Sequence, residues 1–108
     1  MREEAVFEVE VPDDFWRTLK RLKGFYAKTE MIEIIEDIKE CISELEVSGA
    51  VAAAGWSDHA LIRPPFNDGL HREFHVHDDD TLVVHIIRRS AYRIRMVGVY
   101  RHATIPKV

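Results

Sequence analysis

The chain has 108 residues, of which 46% are hydrophobic and 31% are charged. This composition predicts one folded domain over residues 1–108 and excludes a disordered chain, and no apolar stretch is long enough for a transmembrane helix. A net charge of −4 argues against a general nucleic-acid binder. The single cysteine, Cys41, excludes an intrachain disulfide and favours a reducing cytoplasm.

The first half of the chain predicts a strand and then a helix. Residues 5–11 alternate between polar and apolar side chains, as in a β-strand, and Pro12 ends this pattern. Asp13 or Asp14 is a suitable N-cap for the helix, which Gly24 would end. Its apolar stripe is Phe15, Leu19 and Leu22.

A second helix is predicted from about residue 30 to residue 47. Thr29 is its expected N-cap, and Ser48-Gly49 is expected to end it. The apolar stripe includes Cys41, which is therefore expected to be a core thiol. The other members of the stripe are Ile34, Ile35, Ile38, Ile42 and Leu45.

The second half predicts three antiparallel strands over residues 70–77, 81–88 and 92–100. Residues 63–69 have the composition of a loop, and residues 78–80 and 88–90 supply turns. The sequence therefore predicts an α+β fold: an N-terminal strand, two helices, and an antiparallel β-meander forming one sheet packed on the helices.

The histidines are concentrated in this second half, which carries a net charge of +2 against −6 for residues 1–53. On a strand, His71, Glu73, His75 and His77 would share one face. Such a face is suited to moving protons near neutral pH. His85 lies in an apolar run and is expected to be structural, while His71 and His77 are expected to be solvated edge residues.

Four stretches resemble the RelE superfamily of toxin–antitoxin ribonucleases, and within it the YafQ-like group. They are residues 15–22, Asp58-His59-Ala60-Leu61, Arg72-Glu73-Phe74-His75-Val76 followed by Asp79, and His102 after the last strand. The resemblance implies a toxin that cleaves mRNA in the ribosomal A site, without metal or cofactor. It also implies inhibition by a cognate antitoxin of the ribbon-helix-helix type, and His59, His75, Asp79 and His102 as active-site residues.

RNA cleavage without metal requires a base for the 2′-hydroxyl, an acid for the departing 5′-oxygen and a cation for the charge on phosphorus. We expect His75 and His102 to be the acid–base pair, with Asp79 orienting an imidazole. His59 is expected to bind phosphate or to join the proton relay. The expected phosphate-binding residues are Arg95, Arg101 and Arg72.

Three positions depart from the YafQ-like pattern. Asp80 stands where tryptophan is usual, Gly98 where arginine is usual, and Pro106 where an aromatic residue is usual. These changes concern how RNA is held more than the proton chemistry.

Other functions stay open. A catalytically silent RelE-like module that binds an antitoxin would share the fold and the partner. A metal site is a further alternative, formed by His75, His77 and Asp79, and so is a small-ligand site on the histidine face. The acidic face of the second helix could also accept a basic segment of an antitoxin.

Overall fold

The computed structural model describes residues 6–50, 59–60, 70–78 and 80–105. Its strands are β1 (Glu8–Glu10), β2 (His59–Ala60), β3 (His71–His75), β4 (Leu82–Arg88) and β5 (Arg93–Tyr100). Its α-helices are α1 (Asp13–Lys20), which continues into a 3₁₀ turn at Arg21–Gly24, and α2 (Lys28–Ser48). The strands form one sheet in the order β1-β5-β4-β3-β2. Strand β1 is parallel to β5, and the other pairs are antiparallel. The predicted α+β fold is confirmed.

Helix α1 follows β1 in the chain and packs against β5. Its N-cap is Pro12, so the predicted Asp13 or Asp14 cap is wrong. Both aspartates instead lie in the first turn, where negative charge complements the helix dipole. Beyond the short β1, the Thr18 hydroxyl oxygen accepts the backbone N–H of Val99 at 2.8 Å. This bond satisfies a strand donor that the three-residue β1 does not reach.

Helix α2 begins two residues earlier than the sequence indicated. Ala27, not Thr29, is its N-cap, because the Glu30 carboxylate accepts the Ala27 N–H at 3.1 Å and satisfies a donor at the helix start. The predicted end is confirmed, since Gly49 adopts a left-handed conformation with φ of 73°. Cys41 is buried, and burial raises the pKa of its thiol to about 12, as expected for a core residue.

The core lies between the helices and one face of the sheet. Phe15, Leu19 and Leu22 are buried there, as are Ile34, Ile38 and Leu45 of α2. Strands β3 to β5 contribute Phe74, Val83, Ile87, Ile94, Met96 and Val99. His85 is completely buried in the central strand, with its ring 5.6 Å from that of Phe74. This placement agrees with the structural role expected for His85.

The opposite face of the sheet, here called the second face, carries the histidines of β3. Residues paired across β3, β4 and β5 form rows on this face. One row is His75, Leu82 and Tyr100, and another is His71, Ile86 and Arg95. His59 and Ala60 form β2, a strand that the sequence did not predict, and pair with β3. In the described part of the chain, no helix is long and apolar enough to cross a membrane.

Candidate functional site

The site lies where β3 ends and the chain turns toward β4. His77 has φ of 64°, a left-handed conformation that ends the strand pattern two residues after His75. His77 therefore does not share a face with His75, and that prediction is wrong. Its side chain is only 15% exposed, so the expectation of a solvated residue is also wrong. The ring lies between Glu30 (Nε2 to Oε2, 2.9 Å) and Glu33 (Nδ1 to Oε2, 3.3 Å).

The turn itself is organised around the carboxylate of Asp78. This carboxylate accepts the hydroxyl of Thr81 at 2.8 Å, the backbone N–H of Asp80 at 2.9 Å and the phenol of Tyr26 at 3.2 Å. Burial raises the pKa of Asp78, but these hydrogen bonds outweigh it and hold the pKa below its ordinary value. Asp78 is therefore ionised at neutral pH, and it fixes the backbone that carries Asp80.

Asp80 binds both residues that follow β5. One carboxylate oxygen, Oδ1, accepts the backbone N–H of His102 and lies 2.8 Å from its Nδ1. The other, Oδ2, accepts Nε–H of Arg101 at 2.8 Å. Burial raises the pKa of Asp80, but the bonds from His102 and Arg101 outweigh it and lower the pKa. Because an ionised carboxylate only accepts, Nδ1 of His102 must carry a proton, and a neutral ring then has a free lone pair on Nε2.

His75 and His102 come together at this end of the second face. Their ring centroids are 5.8 Å apart, with an angle of 34° between the planes. His75 is partly buried, and the side chain of His102 is 59% exposed. Two imidazoles within reach of one small group, with a cation beside them, can transfer protons at a bound phosphodiester.

The structure separates the other predicted residues. Arg101 belongs to the cluster, but Arg95 lies in the row of His71, about 13 Å farther along the strand direction. Nε of Arg95 lies 4.0 Å from Oε1 of Glu10, and Arg95 lines a shallow hollow of about 240 Å³. Arg72 points to the face opposite His75, beside His85. His59 pairs through its backbone with Glu73; its side chain, and the whole of Asp79, lie outside the described residues.

Sequence reasoning missed Asp80 and Phe25. The resemblance pointed to Asp79 as the aspartate beside the histidines, whereas Asp80 makes the described bond to His102. Phe25 is 55% exposed, and the guanidinium carbon of Arg101 lies 4.3 Å from the centre of its ring. The signal that could have identified Asp80 was its departure from the usual tryptophan. Phe25 had no comparable sequence signal.

Gly98, the second departure, has a steric explanation. The side chain of Tyr100 folds back over Gly98, so a Cβ there would lie 2.8 Å from Cε2 of Tyr100. A side chain at position 98 therefore requires Tyr100 to move. Burial raises the pKa of Tyr100, and the nearby positive charge of Arg21 only partly opposes this effect.

The same described side chains include residue types that bind metals, but they are not grouped as ligands of one ion. Within the described ranges, no three His, Cys, Asp or Glu residues are grouped so that they could hold a metal ion. His75 and His77, the pair expected in the metal alternative, face different partners. His75 and His77 therefore do not form a shared metal site, and Asp79, the third residue of that alternative, lies outside the described residues.

Solved structures resemble this fold. A metal-bound toxin from Helicobacter pylori is 20% identical, with a TM-score of 0.56 over 93% of this chain and 99% of that one. A copper-bound variant toxin from the same organism is 15% identical, with a TM-score of 0.55 over the same shares. No protein-family model matches the chain, and the search of curated proteins gave no match. At this identity the comparison establishes the fold alone.

Proposed function

We propose that the chain is a RelE-like toxin that cleaves mRNA on the ribosome and is held inactive by a cognate antitoxin. The observation that carries this proposal is the His75–His102 pair, with Asp80 bound to Nδ1 of His102 and Arg101 beside it. The fold shared with a Helicobacter pylori toxin supports the toxin role. The YafQ-like assignment and the ribbon-helix-helix type of the antitoxin belong to the same proposal.

In the proposed reaction His102 is the general base. Its free Nε2 removes the proton of a ribose 2′-hydroxyl, whose oxygen attacks the adjacent phosphorus. His75, when protonated, gives its proton to the departing 5′-oxygen as the P–O5′ bond breaks. The products are a 2′,3′-cyclic phosphate and a 5′-hydroxyl, and the two histidines have exchanged protonation states.

Arg101 supplies the positive charge. Its Nε holds Asp80, which leaves the terminal N–H groups to bind the phosphate oxygens as charge accumulates there. Asp80 is a positioning residue, because it fixes the tautomer and orientation of His102 and stabilises the imidazolium that forms. Asp79, His59, Arg95 and Arg72 stay proposed as further contacts to RNA.

The test is induced expression of the unchanged chain, His75→Ala and His102→Ala in a bacterial host, with mapping of mRNA 5′ ends. His71→Ala is the matched control, because it lies on the same strand face four residues from His75. We expect growth arrest and in-frame cuts with 5′-hydroxyl ends for the unchanged chain and His71→Ala only. Cuts that persist in both His75→Ala and His102→Ala would refute the assignment.

A catalytically silent antitoxin-binding module is the second candidate. The observation that favours it is that Arg101 is already bound by Asp80 and stacked on Phe25, so the nearest cation is partly neutralised. If the soluble, unchanged chain causes neither arrest nor cuts but binds an antitoxin, this candidate replaces the nuclease.

The Helicobacter pylori toxins in the comparison are metal-bound. The described residues of this chain do not group as a metal site. We propose that cleavage is metal-independent, and we expect it to survive a chelator. Loss of cleavage in chelator, restored by one added metal, would contradict this.

A further inference from the structure

Phe25 lies on the segment that joins α1 to α2, with its ring exposed beside Arg101. It follows the 3₁₀ turn, and its backbone N–H donates to the carbonyl of Leu22 at 2.9 Å, which fixes its position. The ring is 55% exposed and does not belong to the hydrophobic core. Exposure of one apolar side chain is ordinary, so its surroundings must decide whether it has a role.

Those surroundings join the Phe25 ring to the proposed site. The Arg101 guanidinium lies 4.3 Å from the ring centre, and its Nε is held by Asp80 at 2.8 Å. Asp80 also holds His102, the next residue along the chain. The Arg101 guanidinium therefore lies over the aromatic ring, and Asp80 connects it to the His102 imidazole that would face a phosphate.

We propose that Phe25 and Arg101 form a stacking platform for a nucleobase of single-stranded RNA. This inference rests on the proposed function and adds the part of the substrate that is recognised. Bases unpaired from a helix stack on aromatic rings and on guanidinium planes, and every base has a π-face. A phosphodiester at His75 and His102 places a neighbouring base within reach of this platform. Purines have the larger face and stack more strongly on it than pyrimidines.

The test measures binding of fluorescent oligoadenylate, oligouridylate and an abasic oligonucleotide of the same length. The variants are Phe25→Leu, which removes the aromatic face, and Phe25→Trp, which retains one. Tyr92→Leu is the matched control, because Tyr92 is 57% exposed and lies at the opposite end of β5. Thermal unfolding of each variant verifies that it is folded.

We expect Phe25→Leu to weaken oligoadenylate binding by about fivefold or more, the lower end of the loss found when one stacked base is released. It should also remove the preference for oligoadenylate over oligouridylate. Binding of the abasic oligonucleotide should change little, and Phe25→Trp and Tyr92→Leu should behave as the unchanged chain does. An equal loss for the abasic oligonucleotide would mean that Phe25 only supports Arg101, and would overturn the platform.

The platform and the nuclease can fail separately. A Phe25-dependent purine preference without any cleavage supports the platform and refutes the nuclease. Cleavage by an unchanged chain whose base preference survives Phe25→Leu refutes the platform alone. If no oligonucleotide binds, or if Phe25→Leu weakens antitoxin binding while RNA affinity is unaltered, the surface serves a protein and the proposal is overturned.

Discussion

Two histidine–carboxylate pairs lie on either side of the Asp78–Asp80 turn, and they differ in what surrounds them. His77 is 15% exposed and lies between Glu30 and Glu33, and its ring makes a T-shaped contact with that of Tyr26. His102 is 59% exposed, contacts Asp80 through one nitrogen and faces His75. The first pair joins helix α2 to the turn, whereas the second leaves a ring nitrogen open to a ligand.

A histidine–carboxylate contact does not by itself identify a site of proton transfer. The hydrogen bond to Glu30 raises the pKa of His77, with further contributions from the charges of Asp78, Glu30 and Glu33, while burial opposes the rise. Both nitrogens of His77 face carboxylates, so the ring has no free position for a substrate. His102 combines a fixed tautomer with exposure and a second imidazole, which acid–base chemistry requires.

Among the substitutions that distinguish the His102 pair from the His77 pair, Asp80→Asn has the largest expected effect. The amide can donate to Nδ1 of His102 and so favour the wrong tautomer, and the stabilising charge is lost. We expect a large fall in cleavage rate, but smaller than the ~10⁴-fold loss for a buried triad aspartate, because Asp80 is one-third exposed. Single-turnover cleavage rates measure the effect.

The matched control for Asp80→Asn is Glu30→Gln, the corresponding change in the other pair. We expect its cleavage rate to stay close to that of the unchanged chain, because the hydrogen bonds of Glu30 within the described part of the chain go to His77 and to the start of α2. Equal losses in the two variants would remove the distinction between a structural and a functional pair.

Asp78→Ala breaks the connection between the pairs. The change removes the acceptor of Tyr26, Thr81 and the Asp80 N–H, and leaves the buried Thr81 hydroxyl with Tyr26 as its described partner. We expect a loss of about 2 kcal/mol in unfolding free energy. The cleavage rate should also fall, since Asp80 is no longer held in register with His102.

Two measurements separate these effects: urea unfolding, and the cleavage rate at a temperature where the variant is folded. An unchanged cleavage rate in a destabilised variant would show that other contacts hold Asp80.

Tyr26→Phe is a milder version of the same change. It removes one phenol, while Asp78 keeps its bonds to Thr81 and Asp80. We expect a loss of about 1 kcal/mol in unfolding free energy, and a cleavage rate close to that of the unchanged chain. The double variant with Asp78→Ala should lose less than the sum of the single losses, because the two residues share a bond. Strict additivity would show that the phenol and the carboxylate act independently.

Most of the fold could be predicted from the sequence, because it depends on periodic apolar patterns. The stripes of α1 and α2, the stop at Gly49 and the three strands after residue 70 are each local signals that agree with the core. The helix starts could not be predicted from cap preference alone: Pro12 and Ala27 are the observed caps. Strand β2 consists of two residues, too few for a pattern.

The site was predictable only in part, for a geometric reason. The predicted strand ends already place His75 at the end of β3 and His102 just after β5. Which of three consecutive aspartates meets His102 depends on the left-handed residue His77 and on the Asp78 hydrogen bonds, and neither is encoded by alternation. The partners of His77 come from α2, which lies more than forty positions away in the chain.

The smallest expected effect is on the pH dependence of stability, and it concerns His77. Because its pKa is raised in the folded chain, the stabilisation from His77 is complete below the ordinary value near pH 6.5 and is lost as the pH rises through the raised pKa. His77→Asn removes this titration while keeping a residue that tolerates φ of 64°. We expect the advantage of the unchanged chain over the variant to decrease as the pH rises above about 6.5, measured as the urea midpoint. The effect should be small, since Glu33 is 70% exposed and solvent screens the contact.

A stability advantage over His77→Asn that grows with pH would mean that His77 binds Glu30 as a neutral ring. The His77 pair would then differ from the His102 pair in charge as well as in exposure.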